Sequence, residues 1–275
     1  MRASRSMALS GASNRHDVAG TVKTSLTGVG MDGIPDATGA DLIARAETHA
    51  GIRAGIVRLE DVLAGPSHKV GRTGVWPLGS SAIAVEKWIE GGRSVLVLGL
   101  HHPVGNPQLD WFDRGNTLGN RSLTELIGSL IKWIQNAYGL NAQLLPYFFE
   151  QGGVFLKDAA VLAGLGIIGQ NNLLINREWG PRIRFRAILI EGDLQPTRPG
   201  ENFAPCEACD MVCRKICPGK AFSKGTYRWC ACLAHLNFNR DNSVLTGERD
   251  NDGNPVRVVK WCRECELACP VGGAR

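Results

Sequence analysis

The stretch Pro205-Cys206-Glu207-Ala208-Cys209-Asp210-Met211-Val212-Cys213-Arg214-Lys215-Ile216-Cys217-Pro218, together with Trp261-Cys262-Arg263-Glu264-Cys265-Glu266-Leu267-Ala268-Cys269-Pro270, decides how the rest of the chain is read. Both groups end in C-x3-C-P. In ferredoxin-type loops, closely spaced thiolates wrap one iron-sulfur cubane, and the cysteine before proline leaves on a helical turn to ligate another. Two such groups predict two 4Fe-4S clusters. Zinc is the competing reading, because separated C-x2-C pairs are a zinc signature. It does not call for the added C-x3-C-P cysteine in both groups.

The ferredoxin spacing is C-x2-C-x2-C-x3-C-P, and the gap from Cys209 to Cys213 is one residue longer, so the loop must bulge there. Eight ligands are wanted and nine cysteines exist. Cys230 and Cys232 compete for one place. Two residues apart on a short element, they are compatible with a shared direction, and spacing alone leaves the choice open.

All nine cysteines lie between Cys206 and Cys269. Disulfide staples would be spread through the fold they stabilise, whereas clustered thiols without an export signal read as metal ligands in a reducing compartment. The first residues carry scattered arginines but neither an apolar h-region nor adjacent twin arginines, so a cytoplasmic location is expected. The longest apolar runs are strand-length pieces such as residues 94–100, too short to cross a membrane. The 275 residues are 44% hydrophobic and 21% charged, enough for one substantial core plus an appended module. Their net charge of +5 is scattered. That excess suits an anionic cofactor or an acidic redox partner as well as nucleic acid.

Upstream, residues 1–38 show neither hydrophobic period and read as a loosely ordered arm. Helical spacing from Ala40 to Gly51 precedes a strand over 54–59. The apolar run 94–100 is expected to be a buried strand, ended by His101-His102-Pro103. A long helix follows, with Ser122 as N-cap, Glu125 three residues on, and Gly139 as its stop. A strand over 144–149, a helix over 156–163, and strands over 172–176 and 184–191 complete the body. Helices and strands intermix, so the body is α/β or α+β. Residues 39–195 are read as a cofactor or substrate domain and 196–275 as a ferredoxin-like two-cluster domain, joined by a Pro-rich linker over 195–205.

Gly164-Leu165-Gly166-Ile167-Ile168-Gly169 fits G-x-G-x-x-G letter for letter. Dinucleotide binding needs that motif after a strand and before a helix. Here the order is reversed, which argues for a helix C-cap and turn, or for glycines that let backbone approach a flat cofactor.

The run from Leu156 through the glycine turn to Asn176, followed by the double-cluster cysteines, resembles the epoxyqueuosine reductase family over roughly residues 41–269. The resemblance implies an α+β protein, with a nitroreductase-like, cobalamin-binding type of domain akin to that of reductive dehalogenases, followed by the two-cluster domain. It implies cobalamin beside the two 4Fe-4S clusters, with Gly164, Leu165, Gly166, Gly169, Asn171 and Asn172 lining the corrinoid pocket. By analogy Cys206, Cys209, Cys213 and Cys269 hold one cluster, and Cys217, Cys232, Cys262 and Cys265 the other. Cys232 is preferred because Cys232-Leu-Ala-His-Leu236 matches the family's C-I-x-Y-L context better than Cys230 does. The family's acid is an Asp about 14 residues before the glycine turn, and counting back from Gly164 lands on Glu150.

The residues around Glu150 differ from the family's, and the chain stops six residues past Cys269, short of the helical-repeat region that helps engage tRNA. A small-molecule or nucleoside substrate is therefore expected in place of tRNA. An external ferredoxin or flavodoxin-type donor completes the reading. The alternative is an electron-transfer protein without cobalamin that serves a corrinoid protein.

Four further features each carry two readings. Glu150, beside the apolar Tyr147-Phe148-Phe149, reads as a buried proton donor or as a strand-end carboxylate. His101 and His102 read as a cofactor contact or as ordinary loop histidines. Residues 110–116 read as a lid or as a solvated loop anchored by its aromatics. Arg182, Arg184 and Arg186 alternate, so they share a face that meets a phosphate or corrinoid side chain, or forms a polar sheet face.

Overall fold

The computed structural model describes residues 37–68, 87–198, 200 and 202–273. The arm expected over 1–38 lies outside them, apart from Ala37 and Thr38, which are helical. The chain opens with α1 (Ala37–Glu47), β1 (Ile52–Arg58) and α2 (Leu59–Ala64), then β2 (Gly92–His101) and a 3-10 turn (Pro107–Asp110). A short hairpin, β3 (Trp111–Asp113) and β4 (Asn116–Thr117), leads into the long α3 (Leu118–Tyr138). After β5 (Ala142–Leu144) come a 3-10 turn (Phe149–Gln151), α4 (Leu156–Leu162), the hairpin β6 (Ile167–Ile168) and β7 (Leu174–Ile175), and β8 (Ile183–Glu191). The cysteine-rich segment adds α5 (Val212–Lys215), α6 (Trp229–Asp241), β9 (Val244–Arg249), β10 (Pro255–Lys260) and α7 (Glu264–Leu267).

The principal sheet runs β1-β2-β8-β5, every neighbour antiparallel. Alternation explains why β2 is apolar throughout: Val95 and Val97 join α2 and α4 in one core, while Leu96 and Leu98 join α1 and α3 in the other. All four side chains are fully buried. The chain is thus a mixed helix-and-sheet protein with helices on both faces of its central sheet. No described helix is long and apolar enough to cross a membrane.

Several local readings change. The long helix begins before Ser122, because Thr117 is its N-cap and accepts from Asn120 N at 3.2 Å; Ser122 lies inside, its hydroxyl bonded to Leu118 O. Gly139 ends it in the left-handed conformation, as its sequence position predicts. The strand expected over 144–149 stops at Leu144, and Glu150 sits instead on the 3-10 turn that follows. Residues 110–116 form neither a lid nor a solvated loop. Trp111 and Phe112 pair with Lys260 and Val259, so this hairpin belongs to a second sheet, β4-β3-β10-β9, shared with the cysteine-rich segment. The Pro-rich stretch after β8 also docks: Thr197 exchanges hydrogen bonds with both backbone polar groups of Ile56 and covers the edge of β1.

Candidate metal centre

The first cysteine group descends from the Pro-rich stretch in a turn carrying Cys206 and Cys209. The residue that lengthens its middle gap is accommodated at Met211, which adopts φ 52° and ψ 42° just before α5. Left-handed backbone at a non-glycine residue is uncommon and is the form the expected bulge takes. Cys213 is buried on α5; Cys217 follows it, accepting a hydrogen bond from Ala221 N at 3.4 Å.

Cys230 and Cys232 both lie on α6. They do not point the same way, because two residues span about 200° of helical turn. Cys230 is exposed and Cys232 is half-buried. Burial and the neighbouring Cys232 push the Tyr227 pKa up. In the second group Cys262 N donates to Asn239 on α6, and Cys265 sits on α7.

The thiols sort into two fours by the charges that act on them. Burial raises the Cys213 pKa, and Cys269, Cys209 and Cys206 raise it further. Cys269 in turn is raised by burial and by Cys206 and Cys209. Cys265 is pushed up to about 12 by burial, then by Cys262, Cys217 and Cys232. Cys262 is raised by burial, Glu264, Cys232 and Cys217. Cys230 acts on none of these sulfurs. Cys206, Cys209, Cys213 and Cys269 line one small cavity together with Gln170, Asn171, Ile175 and Val271. A more open cleft, with Cys262, Pro218, His235 and Trp261 in its wall, lies beside the other set.

Thiols with raised pKa values cannot ionise together unless a cationic group offsets their mutual repulsion. Each set of four offers an all-sulfur donor set, the chemistry an iron-sulfur cubane takes, and the first of them lines a common cavity. Among the described residues no three of His, Cys, Asp and Glu converge tightly enough for a single metal ion.

The glycine turn is a helix C-cap followed by the hairpin β6-β7, the reverse of dinucleotide-binding order. Gly164 closes α4 at φ 78°. A Cβ on Gly166 would stand 2.2 Å from Ile175 O, and one on Gly169 2.5 Å from Ile175 Cγ1. The close approach these two permit is therefore to the chain's own β7. Leu165 is a core residue whose carbonyl accepts from Asn176. The hairpin tip nevertheless reaches the cysteines. Asn171 is buried and donates to Cys265 O at 3.2 Å, Gln170 accepts from Arg214 at 3.2 Å, and Asn172, at φ 59°, accepts from Lys157 at 2.8 Å. Glu150 is half-buried between the buried Phe149 and the exposed Gln151.

A buried charge network docks the second cysteine group onto the body. Arg184 bonds Asp110 at 2.8 Å and Glu266 at 2.5 Å. Arg263 bonds Asp110 at 2.7 Å and also holds Glu266 and the His102 carbonyl. His102 Nδ1 lies 2.9 Å from Asp110, and its ring packs on Gly119 of α3. Burial lowers the His102 pKa in spite of Asp110. Asp110 is held below the usual carboxylate range, because His102, Arg184 and Arg263 outweigh the opposing effect of burial. On Arg184 burial is likewise outweighed, by Glu266 and Asp110, and its pKa rises. His101 stacks on Trp179 at 4.8 Å. Arg182 and Arg184 thus meet protein groups of the second cysteine group, and Arg186 lies over the Tyr147 ring. This network escaped the sequence reading because Arg263 and Glu266 stood there only as spacers between cysteines. Paired charges inside a metal-ligand loop were the available signal.

An epoxyqueuosine reductase from Pseudomonas aeruginosa is 31% identical over 142 residues, half of this chain and 38% of that protein. The chain is similar to epoxyqueuosine reductases over that half of its length. A tetrachloroethene reductive dehalogenase from Dehalobacter restrictus is 39% identical over 122 residues, 37% of this chain and 21% of that one. The solved epoxyqueuosine reductase from Streptococcus thermophilus superposes with a TM-score of 0.60 at 19% identity, over 86% of this chain and 66% of that one, which shows a shared fold. The chain spans 38–42% of the length of the first curated epoxyqueuosine reductases it matches. No family model matches it.

Proposed function

We propose that the chain is an iron-sulfur oxidoreductase of epoxyqueuosine reductase type. Cys206, Cys209, Cys213 and Cys269 hold one 4Fe-4S cluster, and Cys217, Cys232, Cys262 and Cys265 the other. The observation that carries this is the sorting of eight thiols into two mutually interacting fours, with the ninth, Cys230, exposed and apart. Bound there, the clusters supply low-potential one-electron transfer, taken from an external ferredoxin or flavodoxin-type donor. The chain's own groups set the conditions. Ala221 N donates to the Cys217 sulfur of the second set, and Asn171, Arg182 and Arg184 fix the loop that carries Cys265 and Cys269. Likeness to the reductases supports a bound corrinoid as electron acceptor and a small or nucleoside-type substrate, with Glu150 as proton donor.

The packing of Gly166 and Gly169 on β7 favours a second reading, an electron-transfer or corrinoid-activating protein with no cobalamin of its own. Anaerobic purification followed by iron, labile sulfide and cofactor analysis tests the main claim. About eight irons per chain are expected for two cubanes. Cys232→Ser should lose about half of them and Cys230→Ser none; the opposite pattern reverses the ligand assignment, and zinc without sulfide ends the redox reading. Cobalamin titration by absorbance separates the two readings, since no binding near micromolar concentration leaves the second.

A further inference from the structure

The two thiol sets face different fixed charges. Three guanidiniums, from Arg182, Arg184 and Arg263, meet the second cysteine group, and two carboxylates, Asp110 and Glu266, answer them. Arg184 and Arg263 take both. Among the described residues Arg182 forms no ion pair: its Nη1 donates to Glu266 O and Cys269 O, each at 3.4 Å, and its Nη2 to Val271 O. It is 1% exposed. A buried guanidinium with no counter-ion is costly, so a negative group should stand nearby. Its bond to the Cys269 carbonyl sets it against the four-sulfur group that Cys269 shares with Cys206, Cys209 and Cys213, and that group is the negative one beside it.

The slot around this cation is built. Gly180 at φ +58° and Gly272 at φ +83° flank it, and a Cβ added to either would stand 3.0 or 2.7 Å from Nη2. Cys269, Pro270 and Val271, held by Arg182 through two of their carbonyls, form one wall of the cavity among Cys206, Cys209 and Cys213. In the loop that carries Cys262 and Cys265 the charges cancel, since Arg184 and Arg263 are both paired with Asp110 and Glu266.

We propose that Arg182 is the built-in counter-charge of the cluster held by Cys206, Cys209, Cys213 and Cys269, and that it raises that cluster's reduction potential above its neighbour's. The proposal rests on the two-cluster reading. Reduction adds one electron to a cubane and its four thiolates, and no proton is needed. A fixed cation in a low-dielectric surround stabilises the added charge, so the electron passes downhill from the set containing Cys217 to the set containing Cys269.

The test is a redox titration of the anaerobic holoprotein followed by electron paramagnetic resonance, with iron and sulfide measured on each sample. In Arg182→Gln both clusters should remain, while the equilibrium constant for one-electron reduction of one cluster falls at least tenfold, about 59 mV. The shifted cluster should be the one whose signal Cys206→Ser removes. Arg182→Lys keeps the charge and should restore the native potential. Unchanged potentials in an iron-replete Arg182→Gln protein overturn the proposal. If that variant fails to hold iron, Arg182→Lys decides: clusters kept at native potential uphold the counter-charge, whereas loss or shift of the same cluster marks Arg182 as a strut. A native protein lacking iron and sulfide would instead end the two-cluster reading, whatever Arg182 does.

Discussion

The sheet β1-β2-β8-β5 and the sheet β4-β3-β10-β9 each have four strands, yet they are held by different means. The first is buried on both faces, with Val95, Leu96, Val97, Leu98, Ile188, Leu189 and Ile190 inaccessible to water. In the second, β9 is exposed at all six positions, and α6 beside it buries no residue. At roughly 25 cal/mol per Å² of apolar surface removed from water, so little burial stabilises the second region only weakly. The body therefore orders itself, whereas the cysteine-rich segment depends on polar docking and on the metal its sulfurs are proposed to hold.

Metal removal should therefore act on one region and spare the other, and this is the largest effect expected. After iron is stripped, backbone amides of α6, β9 and β10 should exchange at rates approaching those of unfolded chain, while those of β1, β2 and β8 stay protected. Hydrogen exchange read by mass spectrometry resolves the two. Equal loss of protection in both sheets would abolish the contrast.

A smaller break is available at the dock. Asp110→Asn leaves Arg263 and Arg184 facing Glu266 alone, and removing one partner from a buried ion-pair network costs about 3–5 kcal/mol. The loss should appear as a lower unfolding midpoint for the cysteine-rich segment in the iron-loaded protein. If the midpoint of the central sheet falls by as much, the network belongs to the body's own core and is no dock.

Much of the body was legible because apolar periodicity is a local signal. The run in β2, the helix ending at Gly139 and the helix after Leu156 each declared themselves in a few residues. The thiols were legible for the same reason, since ligand spacing is written in sequence. What could not be read was tertiary. Residues 110–116 look like a loop until β10, far along the chain, pairs with Trp111 and Phe112. The packing of Gly166 and Gly169 on Ile175, where side chains would clash, is not written in their spacing. Alternating arginines, likewise, say nothing of Glu266 and Cys269 some 80 residues away, which is where Arg182 and Arg184 turn. That Cys230 and Cys232 point apart needed only the knowledge that they lie on a helix.

Acid offers the mildest way to sharpen the contrast, because its targets lie on the body side of the dock. Burial lowers the His102 pKa, so the unfolded chain takes up a proton near pH 6.5 that the folded chain refuses, and stability must fall as pH drops below about 6.5. Asp110 has the opposite sign: its folded pKa is depressed, its contribution is complete above about pH 4, and it is lost only as pH falls through that lowered value. Between pH 7.5 and 5.5 the histidine alone of this pair acts, and one refused proton limits the slope to about 1.4 kcal/mol per pH unit. His101, also lowered by burial, adds in the same direction. Urea midpoints of the central sheet should therefore decline over that range, and His102→Gln should flatten the decline without abolishing it. A variant as acid-sensitive as the native chain would mean that His102 meets protons as easily when folded as when unfolded, against its burial beneath Gly119.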